Sequence, residues 1–335
     1  MTAGSDDHVG SGDPQASSPP SAGPGTLANR AAVLRRLELD VTRRLDGLLS
    51  GDYLAAVVGT GSEAAGARPY APGDDARHID WNLTARALAP HVRTTDADRE
   101  LHTTVVVDRS ASMDFGTAAR EKREVALAAV AAFGFLTVRS GNHFGVLMSG
   151  GDELVWVPAR AGRPGMLAAL AAVYDTPRVQ AAPAPGATFA AGLNRVARTQ
   201  HRHGQVIVVS DFLDAADWGS PLRRLCLRHQ VLAVQVVDPR EFELPDVGML
   251  AVVDSETGRH LHVQTRSAAL RERYRAAAAQ RHQAIRQNVI RAGAEYLELS
   301  TDRDWVGDVA RFVNHRHRVR PRTWLAGVGG PGSPR

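Results

Sequence analysis

The sequence predicts an α/β protein with a doubly wound, mainly parallel sheet. From residue 101 onward, short apolar or β-branched runs alternate with longer helical patterns, as expected for a sheet covered on both faces. Two of these runs lead directly into acidic residues, Asp108 and Asp211, where the carboxyl ends of parallel strands would place ligand-binding loops. The 335 residues are 44% hydrophobic and 5% aromatic, which suits a core of Ala, Val and Leu.

The composition divides the chain into four parts. Residues 1–26 are rich in Ser, Gly, Pro and Asp, which predicts a disordered leader. Residues 27–100 hold a predicted amphipathic helix, Ala28–Leu49, and then an irregular polar segment that should pack on the main domain. Residues 101–315 form the predicted α/β domain, and the Arg-, Pro- and Gly-rich residues 316–335 a disordered tail.

The elements of the α/β domain follow from its apolar periodicity and its turn residues. The predicted strands are Thr103–Val107, Phe144–Ser149 with its hairpin partner Glu153–Val157, Gln205–Ser210, Val231–Val237 and Tyr296–Leu299. The predicted helices are Glu121–Val138, Pro164–Tyr174, Ala187–Gln200, Pro221–His229, Ala268–Ala292 and Trp305–Asn314. Between about 249 and 264, two apolar runs flank Asp254–Gly258 and predict a β-hairpin inserted into this pattern.

Oxygen-bearing side chains follow two of the predicted strands. Asp108, Ser110 and Ser112 come directly after Thr103–Val107, while Thr188 begins a helix and Asp211 follows the Gln205–Ser210 strand. Hard divalent cations prefer such oxygen ligands. We therefore expect a Mg²⁺ site at this sheet edge, with Mn²⁺ or Ca²⁺ as alternatives; simple helix capping or turn closure is the competing explanation.

These three segments resemble the metal-ion-dependent adhesion site (MIDAS) of von Willebrand factor A domains. The resemblance implies that Ser110 and Ser112 bind the metal directly and that Thr188 binds directly or conditionally. Asp108 and Asp211 would supply the anionic frame. One coordination position would stay open for a carboxylate of a protein partner.

A second motif precedes the α/β domain and consists of Arg68, Tyr70, Pro72, Gly73, Asp74, Asp75, Arg77, Asp80, Trp81 and Arg86. It resembles the signature of the family called domain of unknown function 58, which joins such a segment to a von Willebrand factor A-like domain. The resemblance to this family covers most of residues 59–315. We expect Arg–carboxylate pairs, with Trp81 as an apolar anchor, to clamp this segment onto the main domain. A rival hypothesis makes Asp74, Asp75, His78 and Asp80 a catalytic metal cluster.

Members of that family commonly accompany MoxR-type AAA+ ATPases. The resemblance therefore implies a metal-dependent protein-binding module, an adaptor or co-chaperone for such an ATPase or its client protein, and not an enzyme. The alternative is a metal-dependent phosphoesterase at Asp108, although the sequence offers no evident general base there. The arginine clusters are interleaved with acids and lack stacking aromatics, so no nucleic-acid binding is predicted.

The remaining bulk features predict a cytoplasmic protein without stable membrane insertion. Cys226 is the single cysteine, which fits a reducing compartment. The longest apolar stretch, Val125–Leu136, is shorter than the about 20 residues that a membrane helix needs. The formal charge is +4, and Lys122 is the chain's single lysine. We attribute the preference for arginine to a GC-rich genome.

Overall fold

The computed structural model describes residues 24–48, 66–71, 75, 79–87, 89–94, 102–118, 120–139, 141–179, 184, 186–253 and 259–319. Its helices are α1 (Pro24–Leu48), α2 (Trp81–Ala87), α3 (Lys122–Arg139), α4 (Gly162–Asp175), α5 (Phe189–Thr199), α6 (Gly219–Cys226), α7 (Ala268–Ala292) and α8 (Trp305–Val319). Its strands are β1 (Gly66–Pro69), β2 (His91–Thr94), β3 (His102–Asp108), β4 (His143–Ser149), β5 (Val155–Ala161), β6 (Gln205–Ser210), β7 (Gln230–Val237), β8 (Met249–Val253), β9 (His260–Gln264) and β10 (Glu295–Ser300).

The central sheet has six strands in the order β10-β7-β6-β3-β4-β5. Every neighbouring pair is parallel except β4 with β5, which is antiparallel. The chain leaves β3 toward β4 on one side and returns to β6 on the other. The carboxyl ends of β3 and β6 therefore border the crevice in which open α/β sheets bind ligands. The predicted doubly wound, mainly parallel sheet is confirmed.

The two faces of the sheet carry separate cores, because successive strand side chains point to opposite faces. Val105 and Val107 of β3 pack with residues of α1, α3, α4 and α8. Val106, between them, packs on the other face with residues of α5, α6 and α7. Burial on both faces explains why β3 reads as an unbroken β-branched run instead of an alternating pattern.

Helix α1 contributes to the first of these cores. Leu34, Val41 and Leu45 are almost completely buried in it, whereas Leu39 on the opposite side of the helix is 49% exposed. The Glu38 carboxylate of α1 also binds the guanidinium of Arg163 in α4. The helix is thus packed on the sheet through α3 and α4 and not attached as an independent arm.

The segment from residue 66 to 94 is more regular than the sequence indicated. Strands β1 and β2 form an antiparallel pair, and α2 lies between them in the chain. Asp80 Oδ1 accepts a hydrogen bond from the Leu83 N–H at 3.1 Å, so Asp80 caps α2. The expectation of an irregular segment is wrong here, because strands of four residues are too short to show an alternating pattern.

The predicted clamp of this segment is also corrected. Trp81 is 71% exposed, since it lies in the first turn of α2 with its ring toward solvent, so it is not an apolar anchor. Asp75 and Arg86 are exposed as well, which excludes them from buried ion pairs. Tyr70 is also exposed, at 36%. The structure does not describe the remaining signature positions, namely the Arg68 side chain, Pro72, Gly73, Asp74 and Arg77, nor His78 of the rival metal cluster.

The predicted hairpin insertion and the long helix after it are both confirmed. Strands β8 and β9 pair with each other in a sheet of their own. Of the α7 residues, Ile285, Val289 and Ala292 are buried, and the helix ends at Gly293 with φ of 93°. Among the described residues, no helix has both the length and the apolar character to cross a membrane.

Candidate metal centre

Asp108 is the last residue of β3, and its carboxylate is held by two hydrogen bonds. The Ser110 N–H donates to Oδ1 at 2.9 Å, and the Ser210 hydroxyl at the end of β6 donates to Oδ2 at 2.6 Å. The residue is 2% exposed. Its orientation is therefore fixed from its own loop and from the neighbouring strand, and Ser210 is a contributor that the sequence interpretation missed.

Ser110 and Ser112 are brought together by a single 3₁₀ turn, Ala111–Asp114. Both side chains are buried, and their hydroxyl oxygens lie 3.0 Å apart. Mg²⁺ binds octahedrally with oxygens at about 2.1 Å, so two neighbouring ligands of the ion should be about 3.0 Å from each other. The spacing of the two hydroxyls thus fits adjacent positions in a magnesium coordination shell.

Gly150, which follows β4, lies against the backbone of the loop that carries Asp108 and Ser110. Its φ is +91°, and a Cβ on it would lie 2.6 Å from the Ser110 nitrogen and 2.7 Å from Asp108 Oδ1. Only glycine combines this backbone conformation with so close an approach. The Gly150 N–H also donates to the carbonyl of Ala187 at 2.6 Å, which ties the loop before α5 to the same edge.

Thr188 is the residue next to that contact and caps α5. Its hydroxyl accepts a hydrogen bond from the Ala191 N–H at 3.2 Å. Through the Gly150 contact, the Thr188 loop reaches the edge that carries Asp108. The capping explanation therefore describes the Thr188 hydroxyl as the structure has it, and its role as a metal ligand stays a prediction.

Asp211 lies one residue past β6, at the same edge as Asp108. It is 1% exposed, and its Oδ1 accepts from the Leu213 N–H at 3.0 Å. Burial, and after it the negative charge of Asp211, raise the pKa of the Asp108 carboxyl to about 7. Two buried carboxylates that repel each other in this way form a site that a divalent cation would stabilise.

Lys122 is a member of the site that the sequence interpretation did not assign. It is fully buried at the first position of α3, and its Nζ donates to Asp211 Oδ2 at 2.7 Å and to Glu241 Oε1. Burial by itself would lower the pKa of the ammonium, but the charges of Asp211 and Glu241 raise it above its ordinary value, so Lys122 stays charged. A signal was present: it is the single lysine of an arginine-rich chain.

Glu241 belongs to the turn that follows β7. Its Oε2 accepts from the Asp238 N–H at 3.0 Å, as in a capping box. The Asp238 carboxylate in turn accepts from the Thr117 N–H at 2.9 Å and from the Thr301 hydroxyl at 2.7 Å. The loop after the candidate site is thereby fastened to the ends of β7 and β10.

Two other acidic residues near the site have local roles. Asp114 pairs with Arg123 at 2.8 Å, and Asp214 accepts from the Ala216 N–H at 2.8 Å. Among the described residues, no group of three or more His, Cys, Asp or Glu side chains is placed to hold a metal ion. The oxygens gathered at this edge are instead two carboxylates and the hydroxyls of serine and threonine.

The fold is an α/β fold with a mainly parallel six-stranded sheet, as the sequence predicted. The chain belongs to the family described as "Protein of unknown function DUF58", whose model matches residues 66–284. A relative from Mycobacterium tuberculosis strain H37Rv, "Uncharacterized protein Rv1480", is 44% identical over 290 residues, which are 86% of this chain and 90% of that protein. "Uncharacterized protein MAV169" from Mycobacterium avium is 38% identical over 162 residues, which are 48% of this chain and 94% of that protein.

Solved structures similar to this chain include two that share little sequence with it. The conserved hypothetical protein BatB from Bacteroides thetaiotaomicron is 10% identical with a TM-score of 0.39, covering 65% of this chain and 99% of that one. The SpRpn10 VWA domain is 13% identical with a TM-score of 0.37, covering 63% of this chain and 94% of that one. The partnership with a MoxR-type ATPase stays a prediction.

Proposed function

We propose that this protein is a metal-dependent protein-binding module that holds Mg²⁺ at the carboxyl ends of β3 and β6. The observation that carries the proposal is the pair of buried hydroxyls, Ser110 and Ser112, 3.0 Å apart beside the buried carboxylates of Asp108 and Asp211. Hydroxyl-rich oxygen sites suit hard cations such as Mg²⁺, and Mn²⁺ or Ca²⁺ could take its place.

Each residue has a distinct part in this proposal. Ser110 and Ser112 would hold the ion directly, Asp108 and Asp211 would supply the negative charge, and Thr188 a further hydroxyl. The bound ion would offer an open coordination position to a carboxylate oxygen of the partner. The hydrogen bonds from Ser110 and Ser210 already orient the Asp108 carboxylate, so little reorganisation is needed on binding.

The partner that we propose is a MoxR-type AAA+ ATPase or its client protein, which the module would recruit through an acidic side chain. Membership of the DUF58 family supports this partner, because members of that family commonly accompany such ATPases. The site is proposed for binding and not for catalysis, since the Asp108 carboxylate is engaged in two hydrogen bonds and Lys122 in two ion pairs. Neither group is placed as a free general base.

The test is recovery of partners from native lysate by the purified full chain in Mg²⁺ or in EDTA, alongside Asp108→Ala. We expect recovery of an AAA+ ATPase or its client in Mg²⁺ only, and its loss in Asp108→Ala. Asp214→Ala is the matched control, because Asp214 lies in the loop after Asp211 but only caps a local turn. Circular dichroism establishes that each variant is folded.

Equal recovery in Mg²⁺, in EDTA and by Asp108→Ala would contradict the proposal. The partner surface would then lie away from the carboxyl edge of the sheet. Loss of binding in Asp214→Ala to the same extent as in Asp108→Ala would also count against it, since the effect would belong to the loop and not to the proposed ligands.

A further inference from the structure

A permanent cation already lies on one of the two carboxylates of the proposed metal site. The Lys122 ammonium is 2.7 Å from Asp211 Oδ2, both side chains are about 1% exposed, and the same ammonium also binds Glu241. Because Lys122 and Asp211 are both away from solvent, the attraction between their charges is little screened by water or salt, whereas the Glu241 side chain is 23% exposed. Lys122 therefore acts on the electrostatic potential at Asp211 directly.

Stability alone does not account for this arrangement. Buried ion pairs can often be replaced by apolar side chains of similar volume without loss of stability, because desolvation of the charges offsets their attraction. Lys122 is the only lysine in a chain that otherwise uses arginine, and its compact ammonium is positioned where two carboxylate oxygens converge. The arrangement thus points to a role at the site.

We propose that Lys122 is a built-in cation that lowers the affinity of the site for divalent metal ions. Its ammonium offsets the charge of Asp211, so metal binding is weak until an acidic group of the partner adds the missing negative charge. Metal and partner then bind together more tightly than either alone. This inference rests on the proposed function and assigns to Lys122 the control of metal affinity.

The negative charge of Glu241 should affect metal affinity in the opposite direction to the positive charge of Lys122. It shares the ammonium with Asp211 and is anchored to the Asp238 N–H through its other oxygen. Neutralising Glu241 would leave the ammonium entirely to Asp211 and would also remove one negative charge from the vicinity. Removing the lysine charge should therefore strengthen metal binding, and removing the glutamate charge should weaken it.

The experiment measures Mn²⁺ binding to the full chain by electron paramagnetic resonance, because Mn²⁺ accepts the same oxygen ligands as Mg²⁺. Four proteins are compared: wild type, Lys122→Met, Glu241→Gln and Asp108→Ala. We expect Lys122→Met to bind Mn²⁺ about tenfold more tightly than wild type, since one nearby positive charge is gone. We expect Glu241→Gln to bind more weakly than wild type, and Asp108→Ala to lose binding.

A merely structural role of Lys122 would give a different pattern, because disturbing the ion pairs would weaken binding in Lys122→Met and Glu241→Gln alike. That result would overturn the inference. If circular dichroism shows that Lys122→Met does not fold, Lys122→Gln takes its place, because its amide keeps a donor for the carboxylates and carries no charge. Tighter Mn²⁺ binding than in wild type then supports the inference, and unchanged or weaker binding overturns it.

The same data separate this inference from the proposed function. If neither wild type nor Lys122→Met binds Mn²⁺, the metal site itself is refuted and the inference falls with it. If wild type binds Mn²⁺ and Asp108→Ala does not, the metal site stands. In that case unchanged or weaker binding by a folded Lys122→Met refutes the role of Lys122 alone.

Discussion

At the scale of single residues, the candidate site depends on how closely backbone segments approach Asp108. Gly150 has a left-handed backbone and leaves no room for a side chain between itself, Ser110 and Asp108. Gly141 also has a positive φ, of +73°, but nothing lies within 4 Å of a Cβ built there. Alanine at residue 141 would cause backbone strain only, whereas alanine at residue 150 would cause the same strain and also collide with the site. Comparing the two substitutions therefore separates these two costs.

Gly150→Ala should destabilise the protein more than Gly141→Ala and should also weaken metal binding. Both substitutions place a Cβ on a left-handed backbone, which costs on the order of 1–3 kcal/mol. Gly150→Ala must in addition displace Ser110 or Asp108, because its Cβ would come within 2.7 Å of Asp108 Oδ1. Urea unfolding measures the stability and Mn²⁺ titration the site. Equal losses of stability, with metal affinity intact in both, would show that the loop can move away from residue 150 freely.

At the scale of elements, α1 is a structural part of the α/β domain although it precedes it by more than fifty residues in the chain. Its inward residues share a core with the strand that carries Asp108. Leu45 is 3% exposed and Leu39, in the same helix, is 49% exposed. The pair allows the contribution of α1 packing to be measured against an internal control with the same chemical change.

Leu45→Ala should lower the free energy of unfolding by about 2–5 kcal/mol, because it leaves a cavity in the core between α1 and α3. Leu39→Ala should change it by at most about 0.5 kcal/mol, as exposed substitutions generally do. Helix propensity does not separate the two variants, since both exchange leucine for alanine. Equal unfolding midpoints in urea would mean that α1 is not part of the cooperative unit.

Elements with strong periodicity could be predicted from the sequence, and those without it could not. The strand before Asp108 and helix Ala268–Ala292 were located well, because unbroken β-branched runs and a terminal Gly293 are local signals. Strands β1 and β2 were missed because their pairing partner is more than twenty residues away. The exposed position of Trp81 was missed because an aromatic residue in the sequence carries no sign of which face it occupies.

The same division applies to the candidate site. Asp108, Ser110 and Ser112 could be proposed from one short motif, and Asp211 from its place after a strand. The contacts of Ser210, Lys122 and Glu241 could not, because each depends on packing between segments about 90 to 120 residues apart in the chain. Spacing along the chain thus predicts which oxygens can reach an edge, whereas the charges that surround them depend on the tertiary structure.

At the scale of the whole molecule, the sheet and its helices form one body onto which the β8–β9 hairpin is added. The hairpin strands pair only with each other among the described strands, and none of their residues is fully buried. Its base is closed by Thr265, whose N–H and hydroxyl both donate to the Gly248 carbonyl, at 2.6 and 2.8 Å. Residues 248 and 265 are therefore held together by their own hydrogen bonds and do not depend on the hairpin for their contact.

Replacing residues 249–264 by a two-residue Asn-Gly turn should leave both the fold and the metal site intact. The free energy of unfolding should change by less than about 1 kcal/mol, because little buried apolar surface is lost. The Mn²⁺ affinity should equal that of wild type, since Glu241 and its contact with Lys122 lie before the deleted segment. Urea unfolding and Mn²⁺ titration of the shortened chain measure the two quantities.

A shortened chain that fails to fold would show that the hairpin is integral to the domain. A folded one with altered Mn²⁺ affinity would show that the hairpin reaches the Lys122–Glu241 pair through the turn at residues 238–248.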